Sequence, residues 1–309
     1  MIYNYGDWLN GDWVIAKDYP GTGGSVPEDV YSTAFFAHST RLIAKIAAVL
    51  GKDEDERYYT ALSDSIKQAF NSKFVNPENG MVKGNTQAGY ALALKFHLLP
   101  DSVRALAVKN MIDNIHSYDD RMSTGFQSSV RMMDVLVNNG YAGLAYRLLE
   151  SQRMPSWLYS VDQGATTIWE RWDGYVKGRG FQSPGMNSFN HYAFGSVSQW
   201  IYEHILGIQP DEKQPGYHHF IIHPVPGGDL KWATGSYHSI NGMIVSDWKR
   251  KNNHFTLQIE IPVNTTATVY VPMWGNRHRE QMEGIKFLRY NNDEAIYLVL
   301  PGKYTLKNF

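Results

Sequence analysis

The segment Thr166–Gly174, Thr-Thr-Ile-Trp-Glu-Arg-Trp-Asp-Gly, sets one glutamate and one arginine between two tryptophans. A carboxylate partly desolvated against indole rings has its protonation tuned by burial, and it can act as general base on a water molecule. The rings also suit the C–H faces of a sugar. Two readings of Glu170 compete. Either it pairs with Arg171 in a loop whose tryptophans pack inward, or it is a catalytic carboxylate in an aromatic wall made by Trp169 and Trp172.

A second group lies just downstream, in Met-Asn-Ser-Phe-Asn-His-Tyr-Ala-Phe-Gly (Met186–Gly195). Asn187, Ser188 and Asn190 suit helix-entry capping, and His191 can cap or can meet a ligand hydroxyl. Near the start, Tyr5–Trp13 carries two Gly-Asp-Trp units. Asp7 and Trp8 can be a turn with a packed ring, or half of a sugar subsite in which the carboxylate meets hydroxyls and the ring meets C–H groups. Gly84–Tyr90 and Ser123–Phe126 put small polar residues where helix caps or a pocket rim would stand. His218, His219 and His223 lack carboxylate or cysteine partners at ligand spacing, so no metal is expected. No phosphate-binding glycine loop follows a strand, no Gly-x-Ser-x-Gly elbow occurs, and no cofactor is expected. The Asn-Thr-Thr sequon at Asn264–Thr266 is a pattern only.

Helices must position these groups. Apolar residues recur at three and four from Val30 to about Gly207. The pattern predicts helices over Val30–Leu50, Glu54–Lys73, Thr86–Leu99, Ser102–Ser117, Gly125–Asn138, Tyr141–Arg153 and Tyr192–Leu206. The first is read with a buried stripe through Ala34, Phe35, Leu42, Ile43, Ile46 and Leu50, ended by Gly51, and Asp101 is read as a cap. Short connections imply antiparallel neighbours. Long loops without periodicity, Met1–Asp29 and Met154–Ser188, hold the chemistry-bearing motifs, as functional loops do. After Pro215 the period becomes two, giving seven or eight short strands and an antiparallel sandwich. The predicted division is a helical domain over 1–210 and a β-domain over 211–309, with a linker near Ile208–Gly216.

The 309 residues are 43% apolar and 19% charged, which suits a folded globular chain. A formal net charge of −1 gives no electrostatic case for nucleic acid or an anionic membrane as partner. Cysteine is absent, which excludes disulfides and thiolate chemistry. The first residues lack the basic start and apolar run of a signal peptide and look like the interior of a folded protein. Aromatic residues make up 14%, with nine tryptophans, an excess that fits either sugar stacking or core filling.

Asp162–Gly174 followed by Met186–Val197 resembles glycoside hydrolase family 78, the α-L-rhamnosidases. The Tyr-Gly-Asp-Trp-Leu, Thr-Gln-Ala-Gly-Tyr-Ala-Leu-Ala-Leu, Leu-Leu-Pro, Ser-Thr-Gly-Phe and Pro-Ser-Trp segments fall in that family's order. The tail from Pro215 is similar to its C-terminal β-domain. The resemblance implies an (α/α)6 barrel followed by a β-sandwich, and removal of terminal α-L-rhamnosyl groups with inversion. It implies that Glu170 is the general base, that His191 contacts rhamnose, and that Trp8 is a pocket tryptophan, with Trp13 a competing match. The partner it implies is a rhamnose-containing glycoside or polysaccharide.

One departure stands out. An inverting glycosidase uses two carboxyl groups about 6.5–9.5 Å apart, one acid and one base. The family's general acid is a glutamate in an Arg-Asp-Glu-Arg segment followed by Gly-Trp-Thr-Gly-Asp, and this chain has neither. Asp55–Tyr59 (Asp-Glu-Arg-Tyr-Tyr) imitates the letters but opens an amphipathic helix. About seven helices stand where the family's barrel has twelve. The expectation is therefore a partial barrel, with the acid outside this chain and an apolar seam that invites association.

Overall fold

Helix α1 (Glu28–Val49) buries Val30, Ala34, Ala37, Thr40, Ala44 and Ala47 in the computed structural model, which describes residues 5–275 and 278–309. The small side chains at this three-and-four spacing let α2 (Asp53–Phe74) approach closely, and the Ser63 hydroxyl donates to the Ala37 carbonyl at 3.2 Å. The expected stripe is thus corrected. Ala34 is buried, but Leu42, Ile43, Ile46 and Leu50 are exposed, and Val49 is 87% exposed. Both faces of α1 are apolar, so periodicity could not choose between them; close packing selected the alanine face. Gly51, at φ +63°, ends the helix as read.

The chain forms two compact units, Met1–Ser196 and Val197–Phe309. In the first, α3 (Gln87–Lys95) is buried from Gln87 to Leu94 and is capped by Thr86, whose hydroxyl accepts from Gly89 N at 3.0 Å. It stops short of the expected Leu99 because His97 turns the chain at φ +55°. In α4 (Asp101–Ser117) the cap position belongs to Pro100; Asp101 is the first helical residue and pairs with Arg104 at 3.0 Å. Helix α5 (Ser129–Asn138) starts four residues after the expected Gly125, since the preceding segment is held as a loop. Helix α6 (Ala142–Glu150) follows. Helix α7 (Trp157–Asp162) and the hairpin of β1 (Tyr175–Val176) and β2 (Gly180–Phe181) lie in the segment read as loop, and both are too short to show a period. The expected helix over Tyr192–Leu206 is not one regular element. Ala193–Ser196 is a 3-10 turn, and in the second unit α8 (Val197–Trp200) runs into a π-helical Ile201–Ile205.

The second unit holds β3 (Ile208–Pro210), β4 (His219–Ile222), β5 (Trp232–Ser239), β6 (Gly242–Lys251), β7 (His254–Ile261), β8 (Thr266–Pro272), β9 (Ile285–Asn291), β10 (Glu294–Val299) and β11 (Gly302–Lys307). One sheet has the order β3-β4-β8-β10-β9 and the other β11-β7-β6-β5. All neighbours are antiparallel except β4 and β8, which run parallel. Strand β3 falls where a linker was read, and it pairs with β4. Alternation puts Trp248, Leu257, Ile259 and Leu306 inside from one sheet, and Phe220, Ile222, Val269 and Val271 from the other. The pattern breaks at Ile296 and Tyr297, both buried, where the register slips against β9. The strand histidines have structural partners: His219 bonds Thr266 and Thr268, and His223 meets Glu294 at 2.6 Å.

Candidate active site

Arg171 does not pair with Glu170. Its Nε donates to Asp173 Oδ1 at 2.9 Å in a buried ion pair. Asp173 Oδ2 also accepts from Ile15 N at 3.2 Å and from Gln182 Nε2 at 3.0 Å. The two buried charges of the motif therefore satisfy each other and pin three loop segments together. Glu170 is left half-buried. Its Oε2 accepts from Ser188 N at 2.8 Å, while its own N–H donates to Ser188 O at 2.8 Å. A further bond, His191 N to Ile168 O at 2.9 Å, aligns the two segments, so Glu170 and His191 lie on adjacent stretches of backbone.

His191 stacks on Phe126, with ring centroids 5.1 Å apart. Ala193 N donates to its Nδ1 at 3.3 Å, which in the neutral ring makes Nε2 the protonated nitrogen and a donor. Phe126 in turn meets Phe194 edge-on at 4.9 Å. The tryptophans are deeper than a bare sugar wall requires. Trp169 is 7% exposed, edge-on to Phe189, and Trp172 is 3% exposed, packed on Phe194 at 3.7 Å, with its N–H donated to Thr124 O at 3.1 Å. A cavity of about 280 Å³ is lined by Trp157, Val161, Ile168, Trp169, Trp172 and Phe194, among others. Glu170, His191, Trp8 and Asp7 are not part of that lining. The indoles of the motif thus wall an apolar hollow beside the carboxylate rather than enclosing it.

Asp7 was read either as part of a turn or as half of a sugar subsite, and in the structure its carboxylate is engaged by backbone N–H groups. The side chain is 1% exposed, and its oxygens accept from Gly125 N at 2.7 Å and from Gln127 N and Ser128 N at 2.9 Å each. Burial pushes its carboxyl above the ordinary range, while the N–H groups of Gly125, Ser128 and Gln127 pull the other way. Its work is to fold the Gly125–Ser128 loop onto the chain start. That loop carries Phe126, whose N–H donates to Trp8 O at 3.0 Å. Trp8 itself is half-buried, between Tyr5 and Trp13, each 5.3 Å away. Gln87 holds the same loop from α3, accepting from Ser123 N at 2.7 Å and donating to Arg121 O at 3.1 Å.

The approach at Gly125 leaves no room for a side chain, since a Cβ there would sit 2.2 Å from Trp8 O and 2.4 Å from Asp7 O. Gly125→Ala is expected to cost about 1–3 kcal/mol, the usual scale of overpacking. A shift of the urea midpoint checks this, and an unshifted midpoint would show that the loop adapts. Sequence reasoning passed over Phe126, Trp157, Asp173 and Phe194. Each sits inside a motif already singled out, but side-chain partners across loops have no period to betray them.

Residues 2–205 match the family described as the bacterial alpha-L-rhamnosidase 6 hairpin glycosidase domain. The chain belongs to the bacterial α-L-rhamnosidase family. Residues 207–286 match that family's C-terminal domain. An alpha-L-rhamnosidase of Streptomyces avermitilis is 40% identical over 300 residues, covering 97% of this chain and 28% of that protein. One from Formosa agariphila is 37% identical, covering 97% of this chain and 33% of that protein. The crystal structure of the Streptomyces avermitilis α-L-rhamnosidase complexed with L-rhamnose superposes with a TM-score of 0.90 at 39% identity, over 99% of this chain and 28% of that one. The chain thus spans about a third or less of the length of these rhamnosidases. A helical unit followed by antiparallel sheets is the architecture the resemblance implied.

Proposed function

We propose that this chain carries the general-base side of an inverting α-L-rhamnosidase site. The observation that carries the reading is the release of Glu170: Arg171 is consumed by Asp173, so Glu170 keeps a half-exposed carboxylate with a single backbone donor from Ser188. In the proposed site Glu170 takes a proton from water as that water attacks the anomeric carbon of an α-L-rhamnoside. His191 Nε2 donates to a sugar hydroxyl, and Trp8 offers a ring face. Trp169 and Trp172 shape the apolar side, where the 6-methyl group of rhamnose would gain from contact. Asp7 acts only through the loop it holds. The relatives' names and the L-rhamnose complex support this substrate class.

No Arg-Asp-Glu-Arg segment occurs in the 309 residues. A site with a base and no acid should depend steeply on the leaving group, because fluoride departs without a proton and an alkoxide does not. The purified chain should therefore turn over α-L-rhamnosyl fluoride while leaving methyl α-L-rhamnoside slower by at least the about 10²–10⁴-fold that acid assistance supplies. Release of fluoride and of methanol are the measurements. Comparable, brisk hydrolysis of both would show that an acid is present in the chain, and binding of L-rhamnose with turnover of neither would reduce the site to a sugar binder.

We also propose that the outward face of α1, with Leu42, Ile43, Ile46 and Val49, is an association surface. A second copy offers the same face, so contact there can be two-fold and closed. Sedimentation should show concentration-dependent association that Ile46→Lys reverses. A monodisperse monomer at high concentration would end that reading.

A further inference from the structure

We propose that the second unit carries its own carbohydrate-binding surface, independent of Glu170, on the outer face of the sheet β11-β7-β6-β5. Cross-strand register brings its residues together. Trp232 pairs with Lys249, which pairs with Thr256; Thr234 pairs with Asp247, which pairs with Gln258. Directly paired residues share a face, so these six side chains stand on one side of three strands, opposite the buried Trp248 and Leu257. They line an open depression of about 460 Å³, within the size range of small-ligand sites.

The chemistry of the surface is that of a sugar platform. Trp232 is 60% exposed on β5, the edge strand, where a large bare ring is a liability unless something covers it. The backbone leading into it is held. Arg250 donates to Leu230 O at 2.6 Å and to Gly227 O at 3.0 Å, and its backbone N–H donates to Lys231 O at 2.8 Å, so the turn leading into Trp232 is fixed. An indole on a fixed backbone offers a flat apolar face on which a pyranose ring can stack. Around it stand an amide, an ammonium, hydroxyls and a carboxylate. Among the described residues, the side chains of Lys249, Thr256 and Gln258 have no partner within the protein, and Asp247 accepts from the Thr234 hydroxyl. Donors and acceptors of both kinds in one shallow row suit vicinal sugar hydroxyls. The mixed signs give no potential for nucleic acid, and the width of three strands suits a glycan chain lying across the sheet rather than a buried small molecule.

The test is retention of the full chain on immobilised rhamnogalacturonan, a rhamnose-containing polysaccharide, in 0.15 M NaCl. Trp232→Ala is expected to cut the apparent affinity about tenfold or more, the scale of one lost ring platform. Asp247→Ala should lower it as well, with the thermal unfolding midpoint of both variants unchanged, since both positions are on the outer face. Equal retention of Trp232→Ala and the unaltered chain would overturn the proposal, as would no retention of the unaltered chain. Retention abolished by Trp8→Ala and untouched by Trp232→Ala would also overturn it, by assigning the binding to the first unit, a result that leaves the Glu170 reading intact.

Discussion

Glu170→Gln is expected to lower turnover of α-L-rhamnosyl fluoride by about 10²–10⁴-fold, the range that a positioned general base contributes. Glutamine keeps the volume and an oxygen able to accept from Ser188 N, so the loop should stay in place. What it loses is the capacity to take a proton from water. With the fluoride substrate no acid is needed, so the measured loss isolates the base. Shortening to alanine and adding azide should restore turnover: azide attacks the anomeric carbon without giving up a proton, the C–F bond breaks, fluoride leaves, and the rhamnosyl azide forms with inverted configuration. A glutamine variant as active as the parent would remove Glu170 from the chemistry. Azide-independent activity in the alanine variant would do the same.

Arg171→Met should destabilise the protein by about 3–5 kcal/mol, the cost of leaving a buried carboxylate without its partner. Asp173 would then keep only the Ile15 N–H and the Gln182 amide. On the usual scaling this is a fall of roughly 6–20 °C in Tm by calorimetry for a unit of this size. Glu170→Gln, at a half-exposed position without an ion pair, should move Tm by no more than the roughly 0.5 kcal/mol typical of surface changes. The two neighbours in sequence thus separate cleanly, one in stability and the other in turnover. The opposite pattern, a stable Arg171→Met and an unstable Glu170→Gln, would mean that the ion pair seen here is not the one that holds the loop.

Residue types and order carried the family and the sequence of elements. A dozen residues around Glu170 are distinctive by themselves, and the change of period near Pro215 marks where helices give way to strands. What stayed hidden was direction. Helix α1 is apolar on two sides, and only the fit of alanines against α2 decides which is covered. Asp7 can be read as a ligand carboxylate in the sequence and Asp173 draws no notice there, since nothing local announces that loop N–H groups and an arginine will take their oxygens. The expected helix over Tyr192–Leu206 has an unbroken apolar pattern. Its lapse into 3-10 and π-helical turns follows from hydrogen bonding, which periodicity does not register.

The carboxylate of Asp7 joins stretches of chain 118 positions apart. Helices can form from near neighbours within microseconds, but this joint must wait until the intervening chain has been laid down and closed into a loop. The loops around Asp7 and Gly125 should then be among the last regions to take shape. Cells would hold, for a time, a chain with its helical signal complete and those loops still open.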